Sequence, residues 1–199
     1  MIFYPPKPTL ISKDQPLFER LEHDGDTVAE PKYNGTRLIL QFNGTIEFWN
    51  RHGTKLKYDP SPEVVQALEK IRQNLKGFTV FDGELVHSKT KTVKHKVVLW
   101  DIFMLNGTPV GSQPFVERRK ILERLVNGWP LVVGGSKLCG LAPQWNSDFK
   151  RHYEELIQHD EIEGLVIKKL GAKLVLGTRE SPTVSYMFKV RKPGPNYRF

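Results

Sequence analysis

The sequence predicts an α+β fold in which antiparallel β-sheets are flanked by helices, and three observations support this. First, short segments rich in branched and aromatic residues are separated by Gly, Asn and Asp turns, as is typical of strands. Second, Asn43-Gly44 between two such segments indicates a two-residue hairpin, because the favoured turn needs positive φ at both central positions. Third, strand-like and helix-like segments come in blocks without strict alternation, which favours antiparallel sheets.

Seven segments are predicted as strands because they combine branched and aromatic residues with flanking turn residues. They are residues 27–30, 36–42, 45–49, 78–87, 96–105, 164–169 and 184–190. The second and third of these are expected to pair as an antiparallel hairpin.

Three helices are predicted among the strands. Apolar residues recur at helical spacing from Val64 to Leu75, behind Ser61-Pro62, which offers a cap and then a proline in the first turn. Gly77 is expected to end this helix. Two further helices are predicted by the same spacing, over residues 115–126 and 148–159.

Length and composition indicate one soluble domain over residues 1–199. The single Cys139 excludes an internal disulfide and a cysteine-based zinc cluster, which fits a reducing compartment. No run approaches the roughly 18 apolar residues that a membrane span needs. We therefore expect a cytoplasmic monomer that does not associate with membranes.

The charge of the chain indicates what kind of partner it binds. A formal net charge of +8 and a pI near 9.5 favour polyanions, because clustered Lys and Arg gain affinity by releasing counterions from phosphates. Nucleic acid is the leading candidate, although a basic pI alone is weak support.

A lysine lies at the junction between two predicted strands. Residues 30–37 read EPKYNGTR, and a turn there can present Lys32 outward from a rigid sheet. Such a lysine can act as a nucleophile where burial or neighbouring cations favour its neutral amine. The alternative is a solvated lysine beside a turn, which is the commoner case for an isolated Lys-x-x-Gly.

Other charged residues lie in or next to apolar strand patterns. Glu84 lies in FDGELV and Glu163 in EIEGLVIK, and two such carboxylates suit magnesium bound to nucleotide phosphates. Lys189 and Arg191 alternate onto one face of a strand, where they can clamp a phosphate. The alternatives are exposed acids in β-turns and a solvated strand edge decorated with lysine.

In order and approximate spacing, these segments resemble the motif series of the covalent nucleotidyltransferase superfamily, which comprises ATP-dependent DNA ligases, RNA ligases and mRNA capping enzymes. The first motif, Lys-x-Asp-Gly followed by Arg, resembles residues 32–37, and the second resembles Arg51-His52-Gly53. The later motifs resemble, in order, residues 81–84, 100–103, 163–168 and 189–191. The resemblance runs from about Thr27 to Lys192 and lies nearest to the adenylation domain of DNA ligases.

This resemblance implies an ATP-grasp-like nucleotidyltransferase domain of the DNA ligase type, with Lys32 as its catalytic residue. The lysine attacks the α-phosphate of ATP and expels pyrophosphate; AMP then passes to a nucleic-acid 5′-phosphate, and a 3′-hydroxyl displaces it. Magnesium or another divalent cation is expected at Glu84 and Glu163. The residues implied in nucleotide binding are Glu30, Arg37, Arg51, Glu84, Trp100, Lys168, Lys189 and Arg191.

Individual roles follow from the same resemblance. Trp100 is expected to stack on adenine, Glu30 to accept the adenine amino group, and Arg37 and Arg51 to contact ribose or phosphates. Glu30 and Glu163 look more like a DNA ligase than a capping enzyme, so nicked duplex DNA is the expected substrate.

Three alternatives stay open at this point. They are an RNA ligase, a stand-alone adenylyltransferase, and a non-catalytic nucleic-acid-binding module. The last is favoured only by Asn34, which stands where the family usually has Asp.

The end of the sequence suggests a compact version of a ligase. Seven residues follow Lys192, so we expect no C-terminal OB-fold. The basic stretches 89–96 and 118–120, or an accessory protein, would then have to hold the nucleic acid. Residues 1–26 have a role that the sequence leaves unclear.

Overall fold

The computed structural model describes residues 1–126, 131 and 133–193. Within this part of the chain there are ten strands and four helices. The strands are β1 (Lys7–Leu10), β2 (Thr27–Tyr33), β3 (Thr36–Asn43), β4 (Thr45–Trp49), β5 (Thr79–Val86), β6 (Lys96–Leu105), β7 (Thr108–Pro109), β8 (Cys139–Leu141), β9 (Ile162–Lys169) and β10 (Thr183–Arg191). The helices are α1 (Pro16–His23), α2 (Pro62–Arg72), α3 (Phe115–Leu125) and α4 (Phe149–Leu156).

The strands form two sheets, as the predicted α+β class requires. The four-stranded sheet has the order β1-β10-β9-β2, and the six-stranded sheet has the order β4-β3-β5-β6-β7, with β8 beside β6. Most neighbouring strands are antiparallel, but β1 runs parallel to β10 and β8 runs parallel to β6. All seven predicted strands are present, with boundaries shifted by a few residues at most.

The predicted hairpin is confirmed in its pairing and wrong in its turn. Strands β3 and β4 pair antiparallel, with Leu40 opposite Phe48. Asn43 continues the ladder opposite Thr45, so Gly44, with φ of +72°, reverses the chain. The turn therefore does not use both Asn43 and Gly44 at positive φ, because the asparagine stays in the strand.

The three predicted helices are confirmed, with shorter C-terminal ends. Helix α2 ends at Arg72 and not at Gly77, and Ser61 occupies its N-cap position without a side-chain capping hydrogen bond. Pro62 lies in the first turn, as predicted. Helix α4 starts after Asp148 and ends at Leu156.

Four elements were not predicted, namely β1, α1, β7 and β8. Helix α1 starts with Pro16 and buries Phe18 and Leu21, a spacing of three that could have indicated a short helix. Strand β1 adds an edge to the four-stranded sheet. Part of residues 1–26 therefore has a packing role that the sequence had left unclear.

Each sheet has an apolar face that packs on helices. Leu165, Ile167 and Phe188 of the four-stranded sheet share a core with residues of α1 and α4, such as Phe18 and Phe149. A second core joins the six-stranded sheet to α2 and α3; it includes Leu38, Leu40, Leu99, Val64, Leu68 and Leu122. Cys139 is buried in this second core. The opposite faces of the two sheets border a common cleft, which charged side chains line.

The two basic stretches proposed as nucleic-acid surfaces are partly buried. Lys96 Nζ lies 2.7 Å from Glu161 Oε2, and Arg118 Nε lies 2.8 Å from Asp101 Oδ1; all four side chains are almost fully enclosed. Arg119 is also buried. These three cations are therefore not available to nucleic acid, because carboxylates distant in sequence hold them inside the fold.

Across the ranges that the structure describes, no helix combines the length and the apolar character needed to cross a membrane.

Candidate active site

A cleft of about 510 Å³ lies between the two sheets. It brings together every residue that the sequence had singled out for the site, although their chemical roles stay predictions. These residues are Glu30, Lys32, Arg37, Arg51, Glu84, Trp100, Glu163, Lys168, Lys189 and Arg191.

Lys32 presents its amine to the cleft near the end of β2. The residue pairs with Gly164 of β9, and its Nζ donates a hydrogen bond to Glu163 Oε2. The side chains of Lys32 and Glu163 are 17% and 24% exposed, so both are largely enclosed but still reachable from the cleft. This amine is therefore held in a fixed position beside a carboxylate.

A β-bulge directs Glu163 into the cleft. Strict alternation along β9 would turn Glu163 away from the side that carries Val166 and Lys168. Instead, Lys32 pairs with Gly164 while Tyr33 pairs with Ile162, which leaves Glu163 as the extra residue. Bulges re-aim side chains in this way, and Gly164 tolerates the required φ of +147°.

Strand β10 supplies two cations to the same wall. Lys189 and Arg191 alternate onto the cleft side, as predicted, and Arg191 Nε lies 3.6 Å from Glu163 Oε2. Burial lowers the pKa of Lys189, and the neighbouring charges of Arg191 and Lys32 lower it further. Lys189 therefore loses its proton more readily than an ordinary lysine.

Glu30 is more enclosed than the sequence suggested. Lys168 Nζ lies 2.6 Å from its Oε2, Gln144 Nε2 donates to its Oε1 over 2.7 Å, and Arg119 Nη1 lies 3.6 Å away. Both carboxylate oxygens are therefore engaged, and an adenine amino group would have to share one of them. Sequence reasoning missed Gln144 and Arg119 because nothing in their local pattern refers to Glu30.

The opposite wall belongs to the six-stranded sheet. Arg37 pairs with Glu84 across β3 and β5, and its Nε donates to Asp82 Oδ1 over 2.6 Å. Its guanidinium also lies 5.1 Å from the centre of the Trp100 ring, within cation–π range. Arg37 is therefore already paired with a carboxylate, whereas Arg51 lies in an exposed turn at the cleft.

Glu84 has an unusual protonation equilibrium. Burial raises the pKa of Glu84 to about 7, although the nearby charges of Lys32, Arg37 and Lys89 act in the opposite direction. Between the two pKa values this carboxyl is ionised in the unfolded chain and still protonated in the folded protein. Because ionisation favours the unfolded chain, the raised pKa lowers the free energy of unfolding. The cost is absent below pH 4.5, grows as pH rises towards 7 and is complete above it.

Replacing Glu84 by glutamine is expected to remove this cost. At pH 8 the Glu84→Gln variant should be more stable than the parent by up to about 3 kcal/mol, because each unit of pKa shift corresponds to about 1.4 kcal/mol. At pH 4 the two proteins should be nearly equal. Urea unfolding at both values measures the difference, and equal stability at pH 8 would contradict the raised pKa.

Glu84 and Glu163, the two predicted metal-binding carboxylates, do not make a complete metal site by themselves. Glu84 and Glu163 both line the cleft and offer the oxygen donors that magnesium prefers. In the described ranges, no group of three His, Cys, Asp or Glu side chains could hold a metal ion. A magnesium ion here would take its other ligands from phosphate oxygens and water.

Two contacts near Lys32 were not predicted. Asn34 Nδ2 donates to the Asp160 carbonyl over 3.4 Å, a bond that an aspartate could not make. Lys89 also lines the cleft, and its Nζ donates to the Gly35 carbonyl. The basic stretch that contains Lys89 was noticed in the sequence, but its approach to Gly35 depends on the pairing of β3 with β5.

Comparison with known sequences relates this chain to DNA ligases. A family model described as "ATP dependent DNA ligase domain" matches residues 86–184, which include Trp100, Glu163 and Lys168. DNA ligase 1 of Korarchaeum cryptofilum is 22% identical over 90% of this chain and 36% of its own length. The chain thus spans little more than a third of that relative.

Solved structures share the fold. A mycobacterial DNA ligase D complexed with ATP and MES has a TM-score of 0.61 at 18% identity, over 83% of this chain and 54% of that chain. The ATP-dependent DNA ligase of bacteriophage T7, in complex with ATP, has a TM-score of 0.52 at 15% identity, over 94% of this chain and 68% of that chain. Two independent proteins therefore have a domain of the same architecture.

Proposed function

Since this chain resembles the adenylation domain of ATP-dependent DNA ligases, we propose that it is an ATP-dependent DNA ligase that seals nicks through a covalent lysyl-AMP intermediate. The observation that carries the proposal is the position of Lys32. Its amine faces a cleft that also holds Glu163, Lys189 and Arg191. This arrangement would supply a nucleophile, a proton acceptor and the cations that nucleotidyl transfer to lysine needs.

In the proposed first step, Lys32 attacks the α-phosphorus of ATP. A nitrogen–phosphorus bond forms, the bond to the bridging oxygen breaks, and pyrophosphate leaves with the electron pair. Glu163 contacts the amine and is placed to accept the proton that the nitrogen loses. Lys189 and Arg191 would stabilise the charge that develops on the phosphate oxygens.

The rest of the nucleotide would occupy the same cleft. Trp100 lines the cleft and would stack on adenine, which would share the ring with the Arg37 guanidinium. Arg51 is an exposed cation for phosphate or ribose. A magnesium ion, when bound between the phosphates and Glu84 or Glu163, would neutralise charge on the leaving pyrophosphate. ATP donates AMP in this scheme.

Nicked duplex DNA is the proposed substrate, because the similar proteins of known sequence and structure are named DNA ligases. We propose that the protein acts as a monomer, with an accessory protein supplying any further surface that the nucleic acid needs. An RNA ligase would use the same first step. Competing nicked DNA against nicked RNA-containing duplexes distinguishes the two substrates.

Labelling with radioactive nucleotide tests the first step. The protein is incubated with magnesium and α-labelled ATP, or with α-labelled GTP in parallel, and then run on a denaturing gel. Acid-labile label from ATP alone is expected. If the folded protein, cleared of bound AMP, takes up no label from ATP, the catalytic proposal fails and a nucleic-acid-binding module is favoured.

A further inference from the structure

A lysine-rich loop borders the cleft beside the nucleophile. The loop comprises residues 87–95 between β5 and β6, and we call it the lysine loop. Lys89 lines the cleft, and its Nζ donates to the carbonyl oxygen of Gly35, three residues after Lys32. The loop therefore brings a cation to residues 34–35, which follow Lys32 between β2 and β3 and which we call the nucleophile turn.

Asp160 fixes the lysine loop to that turn. Its carboxylate oxygen Oδ2 accepts hydrogen bonds from the backbone N–H groups of Lys91 and Thr92, over 2.5 and 3.3 Å. Its backbone carbonyl accepts the bond from Asn34 Nδ2. One residue thus connects the loop and the nucleophile turn, so that Lys89 is presented from an anchored backbone.

The lysines of the loop have different surroundings. Lys94 Nζ donates to the His87 carbonyl over 2.8 Å, and so it holds the loop together. Lys91 is exposed and does not line the cleft. Lys89 is the lysine of this loop that faces the cleft, and Gly35 uses only one of the three N–H donors of its ammonium group.

Among the cations on the six-stranded side of the cleft, Lys89 is the best placed to bind the phosphate of a second ligand. Three cations line the cleft from this wall and its loops, namely Arg37, Arg51 and Lys89. Arg37 is paired with Asp82, and Arg51 Nε donates to His52 Nε2 in an exposed turn. Arg51 keeps its other donors but lies in the turn after β4, so Lys89 is the cation of this wall that both contacts the nucleophile turn and keeps free donors.

We propose that Lys89 binds the terminal 5′-phosphate of the nucleic-acid strand that receives AMP from Lys32. The inference rests on the proposed function and assigns a residue to its second step. An AMP group on Lys32 and an incoming 5′-phosphate are both anionic, so their approach needs a cation between the cleft mouth and the nucleophile. Lys89 is exposed, lines the cleft and contacts the turn that follows Lys32, on the wall opposite Lys189 and Arg191.

Binding measurements without ATP or divalent cation test this role apart from chemistry. Fluorescence anisotropy is used to compare nicked duplex DNA carrying a 5′-phosphate at the nick with the same duplex carrying a 5′-hydroxyl. The parent protein is expected to prefer the phosphorylated nick by about tenfold, the value of one charge-assisted hydrogen bond. Lys89→Ala should lose this preference, and Lys89→Arg should keep most of it.

The affinity of each variant for the duplex with a 5′-hydroxyl at the nick is the internal reference, because it reports folding and general DNA binding. Lys76→Ala removes the same charge from an exposed residue that does not line the cleft, and it should keep the preference. An unchanged preference in Lys89→Ala, or no preference in the parent protein, would overturn the inference. Failure of the proposed function would appear separately, as absence of ATP-derived label on the parent protein.

Discussion

Replacing Lys32 by alanine is expected to abolish the transfer of label from α-labelled ATP to the protein. The amine of Lys32 lies in the cleft against Glu163, and alanine has no atom that can bond to phosphorus. Residual label should therefore fall to the background of the gel. Lys32→Arg should behave in the same way, because arginine keeps the positive charge for Glu163 but stays protonated.

The control for this experiment is a lysine outside the cleft. Lys173 is exposed and does not line the cleft, so Lys173→Ala should label as well as the parent protein. Isothermal titration with ATP shows whether Lys32→Arg still binds the nucleotide. Label that persists in both Lys32 variants would mean that another residue is the nucleophile.

Replacing Gly164 by alanine is expected to destabilise the protein by roughly 3–5 kcal/mol, since backbone strain and overpacking add at this position. Gly164 has a φ of +147°, and a Cβ atom there would lie 1.9 Å from the carbonyl oxygen of Val190. Neither β9 nor β10 can shift easily, because both are central in the four-stranded sheet. Relief of the clash would also move Glu163, so ATP labelling should fall together with stability.

Gly171→Ala is the matched control, because a Cβ atom at Gly171 would meet nothing within 4 Å. Its stability should stay within about 0.5 kcal/mol of the parent, as is usual for surface substitutions. Urea unfolding measures both variants. Equal stability of the two would show that the bulge tolerates a side chain and that its geometry does not require glycine.

Local sequence patterns were sufficient to predict most of the fold. The segments that became β3, β4 and α2 carry their own signals, namely turn residues between strand formers and apolar spacing behind a proline. Strand β1 does not, because Lys7–Leu10 is short, contains a proline and obtains its strand character from β10 at the other end of the chain. Such pairing depends on contacts between distant parts of the chain, which a short stretch of sequence does not reveal.

The residues that line the candidate cleft were predictable from the sequence, whereas the geometry of the cleft was not, and the roles of these residues stay predictions. Motif order brought Lys32, Glu84 and Glu163 together, but strict alternation would have turned Glu163 to the wrong side of β9. The bulge that corrects this direction has no signal in the sequence beyond a glycine. The buried pairs of Lys96 and Arg118 could not be predicted either, because their carboxylate partners lie in other elements.

The order of the strands along the chain has a consequence for synthesis on the ribosome. The six-stranded sheet is complete once residues 36–141 have emerged, since β3 to β8 all lie in that segment. Strands β1 and β2 emerge earlier, but their partner strands are β10 and β9, so they must wait for residues 162–191. Long-range pairing of this kind forms late. The wall that carries Arg37 and Glu84 can therefore fold during translation, whereas Lys32 joins it only after β9 has emerged.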